Sequence, residues 1–155
     1  MKRKGIVVQI SAEFITIILL LAMGAYLRFS WSDIPDQVPG HYNIAGQVDR
    51  WGNKSELLAI PIICGVLYVL LTLVTYYPPL WNLPLNIGKE DKAKTISLIK
   101  NMMCIMKAEM VLCFGYISFQ GIRLQPLSPY FTLLSLLVLA ITFGIYLFRI
   151  YNTSK

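Results

Sequence analysis

The residues with the widest chemical range stand close together in "VPGHYNIAGQVDRWGNK", Val38 to Lys54. This stretch holds His41, the single histidine of the chain, with Asn43, Asp49, Arg50, Lys54 and, just beyond it, Glu56. Three chemistries are open to such a set. Zinc favours His and Cys with carboxylates as helpers, and one histidine without an outward cysteine is thin support for a metal site. An imidazole oriented by a carboxylate can serve as a general base. Asp49 lies eight residues past His41, so folding of the loop would have to join them, and no nucleophile motif accompanies the pair. The third chemistry is structural: His41, Asn43 and Asp49 hydrogen-bond the backbone and fix the shape of the loop. The reading adopted assigns no catalytic residue, metal or cofactor.

Glu13, Lys107 and Glu109 form a second group, because each sits inside an apolar run. An ionised side chain at the centre of a bilayer costs at least about 2.5 kcal/mol, so each needs a partner or a route to water.

The runs themselves set the architecture. The chain has 155 residues, 56% of them hydrophobic, and a mean hydropathy of +0.60. Only 14% are charged, against about a quarter in soluble domains. A spanning helix needs about 20 mainly apolar residues. Four segments qualify, at about 5–29, 56–77, 101–120 and 129–148. The expected fold is therefore an all-α integral membrane protein, a single domain over 1–155. It is a bundle of four transmembrane helices with a structured extracytoplasmic loop, about 30–55, between the first two. The first run exceeds a signal-peptide core in length and offers no small-residue cleavage site, so it reads as a retained helix.

Charge placement orients the bundle. Lys2, Arg3 and Lys4, then Lys89, Lys92, Lys94 and Lys100, then Arg149 and Lys155 fall on one side of a four-span protein. The positive-inside rule makes that side cytoplasmic, with both termini inside. The net charge of +6 is accounted for by topology, and nucleic acid is not an expected partner. Cys64, Cys104 and Cys113 lie in apolar runs without metal or disulfide spacing, and read as packing residues.

Within the loop, Asp36–Gly40 reads as a turn stiffened by Pro35 and Pro39, with Gly40 free to take a positive φ. Asn43–Gly46 reads as a second turn, and Gly52-Asn53 as a third. Asn53 with Glu56 resembles a capping box for the second span. The polar connector "NIGKEDKAKTISLIK" begins as loop and turns helical from about Lys89. Among the glycines of the spans, Gly65, Gly115, Gly121 and Gly144 are candidates for close helix contact.

Depth can be counted as well. Glu13 is about eight residues from the cytoplasmic end of its helix and Lys107 about six, which at 1.5 Å per residue is roughly 9–12 Å for both. The two are expected to meet, with Glu109 on another face because residues two apart on a helix point apart. Snorkelling of Lys107 to the headgroups is the competing arrangement.

The loop resembles the signature of a bacterial membrane family known as domain of unknown function 1648. That pattern is roughly Pro-x-x-x-Pro-x-His-Phe/Tyr-Asn-x-x-Gly-x-x-Asp-x-x-Gly-x-Lys followed by an apolar helix containing Pro. It is matched here at Pro35, Pro39, His41, Tyr42, Asn43, Gly46, Asp49, Gly52, Lys54 and Pro61. The domain also stands at the front of SdpI-type immunity proteins, which protect bacilli from a secreted membrane-active peptide. The resemblance implies a non-enzymatic, immunity-like or ligand-binding protein of the bacterial cytoplasmic membrane. Its recognition residues would be Pro39, His41, Asn43, Gly46, Asp49, Gly52 and Lys54. Its partners would be the lipid bilayer, a secreted peptide or envelope component, and a membrane-protein partner or a second copy. Two alternatives stay open: a membrane enzyme using His41 and Asp49 as acid–base or metal-binding groups, and a subunit of a transport or signalling complex.

Overall fold

A computed structural model describes residues 2–81 and 89–153. The loop expected at the start of the polar connector lies outside the described residues.

Four long helices dominate: α1 (Lys2–Ser30), α2 (Ala59–Tyr76), α3 (Lys89–Ile122) and α4 (Phe131–Thr153). All four are long and apolar enough to cross a membrane. Their outer faces carry large exposed apolar side chains, among them Phe14, Leu21, Leu133, Leu136 and Phe148, a distribution that suits a lipid surround rather than water. α3 continues the third apolar run toward the chain start by three turns, so the segment from Lys89 to Lys100 is helix, as expected from about Lys89 onward. α3 is the central helix, with α1, α2 and α4 each packed on it.

The helices are held differently at their two ends. Toward the hairpin end, α1, α2 and α3 join through Met23, Cys64 and Val111, ringed by Leu19, Leu20, Ile60, Met110 and Phe114. Toward the opposite end the ties are polar. Lys107 on α3 is 1% exposed, forms an ion pair with Glu13 of α1 and donates to Thr72 Oγ1 of α2 at 2.9 Å. The other Glu13 oxygen accepts from Tyr68 at 2.9 Å, and Cys104 Sγ lies 3.2 Å from the first. The side chains of Gln9 and Asn101 meet at 2.7 Å one turn further along. In lipid, apolar side chains gain little by leaving one another's company for acyl chains, so such polar contacts and close packing fix helix register.

Between α1 and α2 the chain builds a small sheet instead of the expected series of turns, so the fold is not purely α-helical. Strand β1 (Gln37–Tyr42) pairs antiparallel with β2 (Val48–Asn53). Asp36–Gly40 is thus strand for most of its length, and Gly52 lies inside β2 rather than at a turn. The Asn43–Gly46 turn forms as read, with Gly46 at φ +79. Asn53 caps a short 3-10 turn, Lys54–Leu58, that leads into α2, and its capping box with Glu56 is complete. Val38, Leu57, Leu27, Ile34 and Ile122 form a second buried cluster that fastens the sheet to the ends of α1 and α3.

α3 ends without the usual glycine. Leu124 takes φ 57, and the N–H groups of Leu124 and Gln125 return to the carbonyls of Gly121 and Gln120 at 3.2 and 3.0 Å. That is the 5→2 and 6→1 pattern of a Schellman stop, with Leu124 kept there by its packing on the Leu27–Ile122 cluster. Of the four glycines proposed for close helix contact, Gly65, Gly115 and Gly144 face open space, while Gly121 abuts Leu57. A fifth, Gly5, is the one that lets α1 approach Ser97 of α3.

Lys107→Met leaves Glu13 buried without its cation and is expected to cost about 3–5 kcal/mol. Adding Glu13→Gln to it should restore much of the loss, read as thermal unfolding in detergent. A double variant as unstable as the single one would show that the pair does not hold the helices.

Candidate functional site

Most motif residues are explained by how the hairpin is built and seated. The Asn43 side-chain oxygen accepts the backbone N–H groups of Ala45 and Gln47, both at 3.0 Å, closing the β1–β2 turn. Gly46 then presents its carbonyl to the N–H of Leu127 at 2.8 Å in the α3–α4 connection. A Cβ on Gly46 would fall 2.7 Å from the Leu127 carbonyl oxygen, so the residue needs both the positive φ and the absent side chain. Tyr42 donates its hydroxyl to the Gln125 carbonyl at 3.1 Å. Burial, and then the neighbouring Tyr116, push that hydroxyl up to about 12, so it stays a neutral donor.

The base of the hairpin is tied by charge. Arg50 donates to Glu56 Oε2 and to the Gly40 carbonyl, each at 2.7 Å, and the Glu56 contact raises its pKa further. The guanidinium fills the space where a Gly40 Cβ would stand, at 2.9 Å. Gly40 thus leaves room for the guanidinium, which a side chain there would push aside, and takes no positive φ. Gly52 likewise leaves room for the Glu56 carboxylate, which lies where its Cβ would stand. Lys54 donates to the carbonyls of Trp31 and Ile34, capping the end of the chain that leaves α1, and its ammonium sits 4.8 Å from the Trp31 ring centroid. Pro39 is buried where β1 meets a groove between α2, α3 and α4.

Two motif residues are left without such a task. The ladder register slips between Pro39 and His41 and again between His41 and Tyr42, so Gly40 and Asp49 have no partner across it. Irregularities of this kind re-aim side chains. Here they accompany a His41 Nδ1 to Asp49 Oδ1 contact of 2.6 Å, with the two side chains 64% and 42% exposed. With Nδ1–H donating to Asp49 Oδ1, the neutral tautomer of the ring leaves Nε2 as an acceptor. Among the described residues, no three His, Cys, Asp or Glu side chains gather as a metal set.

The hairpin borders a groove of about 570 Å³ between α2, α3 and α4. Pro39 to Ile44 line it from the hairpin, Ile60 from α2, Phe114 and Ile117 from α3, and Leu136 and Leu139 from α4. His41, Tyr42, Asn43, Thr132 and Ser135 are its few polar neighbours. Sequence reasoning named the loop residues but not the groove, whose walls come from three helices that meet only in the fold.

The three charges of the apolar runs divide as their spacing suggested. Glu13 and Lys107 are together, whereas Glu109 faces α4 and accepts from Thr142 Oγ1 at 2.5 Å.

Residues 16–65, from mid-α1 through the hairpin into α2, match the family model described as Domain of unknown function (DUF1648). The chain is also similar to an uncharacterized protein of the archaeon Archaeoglobus fulgidus, 24% identical over 118 residues. That match covers 68% of this chain and 64% of the relative, so it spans less than two thirds of the relative's length. No solved structure matches the chain.

Gly46→Ala is expected to lower stability by about 1–3 kcal/mol through strain at a positive φ and loss of the Leu127 contact. His41→Ala should change it by no more than about 0.5 kcal/mol, as for other exposed side chains. Thermal unfolding of the two variants side by side checks this. Equal losses would make the His41–Asp49 pair a structural strut.

Proposed function

We propose that this chain is a multi-pass protein of a prokaryotic cytoplasmic membrane whose hairpin and groove bind a peptide arriving at the outer face. Both termini then lie in the cytoplasm. Lys92, Lys94, Lys100 and Arg149 stand at one end of the bundle. At the hairpin end Arg28, Arg50, Lys54 and Arg123 are matched by Asp33, Asp36, Asp49 and Glu56. The excess of basic residues away from the hairpin favours that end as the inner one.

One observation carries the binding reading: six consecutive residues of the hairpin, Pro39 to Ile44, border an apolar groove. Successive strand side chains point to opposite faces, so a continuous border means the strand edge looks into the groove. An extended peptide can add its backbone to such an edge and drop alternate apolar side chains into the pocket beside it. His41, held by Asp49, offers Nε2 to a donor on the same peptide. The likeness of the loop to the domain at the front of SdpI-type immunity proteins supports a peptide over other envelope components.

A second reading is favoured by the 2.6 Å His41–Asp49 contact, the arrangement of an oriented general base. It makes the chain a hydrolase of lipid or peptide bonds. A fluorogenic ester turned over by the purified protein, and no longer by His41→Ala, would establish it in place of binding.

For the binding reading, a labelled peptide of alternating Leu and Thr is titrated against the chain in lipid nanodiscs. Binding should weaken at least about tenfold, or 1.4 kcal/mol, when the peptide backbone is N-methylated, and again when Leu136→Trp fills the groove. Affinity indifferent to both changes would contradict the proposal.

A further inference from the structure

Two contacts set how α3 and α4 run past each other. The Tyr116 and Phe131 rings lie 4.8 Å apart, centroid to centroid, and Glu109 accepts from Thr142 Oγ1 at 2.5 Å further along. The helices are antiparallel, and the groove beside the hairpin follows both. Its lining runs from Ile117 back to Met110 on α3 and from Thr132 on to Leu139 on α4. Each wall therefore covers seven residues of rise, or about 10 Å of helix. Leu139 stands eight residues into α4, a helix long enough to cross a membrane. Its depth is roughly 12 Å, in a hydrocarbon core about 30 Å thick.

Polarity changes along this length. The hairpin end of the groove has His41, Tyr42 and Asn43, with the hydroxyls of Thr132 and Ser135 next along. The deep end has Met110, Cys113, Leu136 and Leu139, whose side chains carry no nitrogen or oxygen. None of these four is fully buried, and Leu136 is 62% exposed. The deep end can thus be entered from the side, where a membrane would supply acyl chains. A peptide strand added to β1 does not fill it. Side chains of a packed strand reach about 5 Å, half the spacing of stacked sheets, which leaves the lower half of the groove beyond them.

We propose that the ligand is a peptide carrying a single acyl chain. Its backbone pairs with β1, its linking amide lies at Thr132 and Ser135, and its tail occupies the deep end between α3 and α4. This names the ligand class of the same site and rests on peptide binding there. Hydroxyls both donate and accept, so the two on α4 suit an amide N–H and carbonyl. A phospholipid fits less well. It has no run of backbone amides for the strand edge, and it brings a phosphate to a groove with no lysine or arginine among its described lining residues. Arg50, the nearest in sequence, is committed to Glu56 and the Gly40 carbonyl.

The test uses the full chain in lipid nanodiscs, with empty discs as the reference. The probes are the peptide of alternating Leu and Thr with a dodecanoyl group on its amino terminus, and the same peptide with an acetyl group. Linking tail to backbone should make the dodecanoyl peptide bind at least about tenfold tighter. Leu139→Trp, which fills the deep end, should bring it down to the level of the acetyl peptide, whose own affinity should not change. Partition of the tail into the bilayer is the same for both chains and cancels, and the acetyl peptide reports that the hairpin is intact. Equal affinity of the two peptides for the unaltered chain would overturn the tail site and leave peptide binding standing. A dodecanoyl advantage that survives Leu139→Trp would overturn it as well, since it marks partition into lipid alone. So would an equal loss of both peptides in that variant. Binding of neither peptide above empty discs would end the peptide reading and the tail site together.

Discussion

The Glu13–Lys107 ion pair is the constraint on which the rest of the arrangement depends. Two charges buried among apolar helices are tolerable only if each remaining donor and acceptor is used. Here Thr72 takes a second donor of Lys107, and the Tyr68 and Tyr76 rings lie 5.1 and 5.8 Å from the ammonium. Because Glu13 is on α1, Thr72 and both tyrosines on α2, and Lys107 on α3, one cluster sets the register of three helices at once. Apolar packing among lipid-surrounded helices discriminates little between registers one turn apart. The polar cluster discriminates sharply. With it in place, the end of α1, the entry to α2 and the end of α3 converge at the far end of the bundle, where Leu27, Leu57 and Ile122 hold the hairpin.

The hairpin then shows why a short motif mixes so many residue types. Asn43 and Gly46 shape the turn and let it touch the α3–α4 connection. Gly40 and Gly52 make room for the Arg50 guanidinium and the Glu56 carboxylate, and Lys54 closes the carbonyls left open after α1. Subtracting these tasks leaves His41 and Asp49, exposed and joined to each other. A two-stranded ribbon is barely stable by itself. Its many ties to the helices make it rigid enough to present that pair at the lip of a groove.

Much of the architecture was legible in the sequence because lipid imposes a simple rule on length and polarity. The apolar runs gave the four helices, the depths of Glu13 and Lys107 gave their meeting, and the spacing of Lys107 and Glu109 gave their divergence. The strands were not legible. Pro39 and Gly40 inside β1 are turn formers by composition, and only pairing with β2, Val38 burial and the Arg50 contact make them strand. The stop at Leu124 was hidden for a related reason, since its left-handed backbone is held by tertiary packing and not by a glycine. Glycines in apolar runs misled in three of four cases, because whether a helix neighbour comes close depends on helix rotation, which sequence spacing leaves open. The partner of Glu109 and the groove beside the hairpin depend on the same rotation of α4 against α3.

The central claim is that four crossings leave the hairpin on the outer face of the membrane. Ala45 at its tip is exposed and contributes only its backbone N–H to the turn. A membrane-impermeant maleimide applied to intact cells, with Ala45→Cys in a chain whose Cys64, Cys104 and Cys113 are replaced by Ser, reads the side directly. The account predicts labelling before the cells are broken. Labelling only after lysis would place the hairpin inside and contradict it.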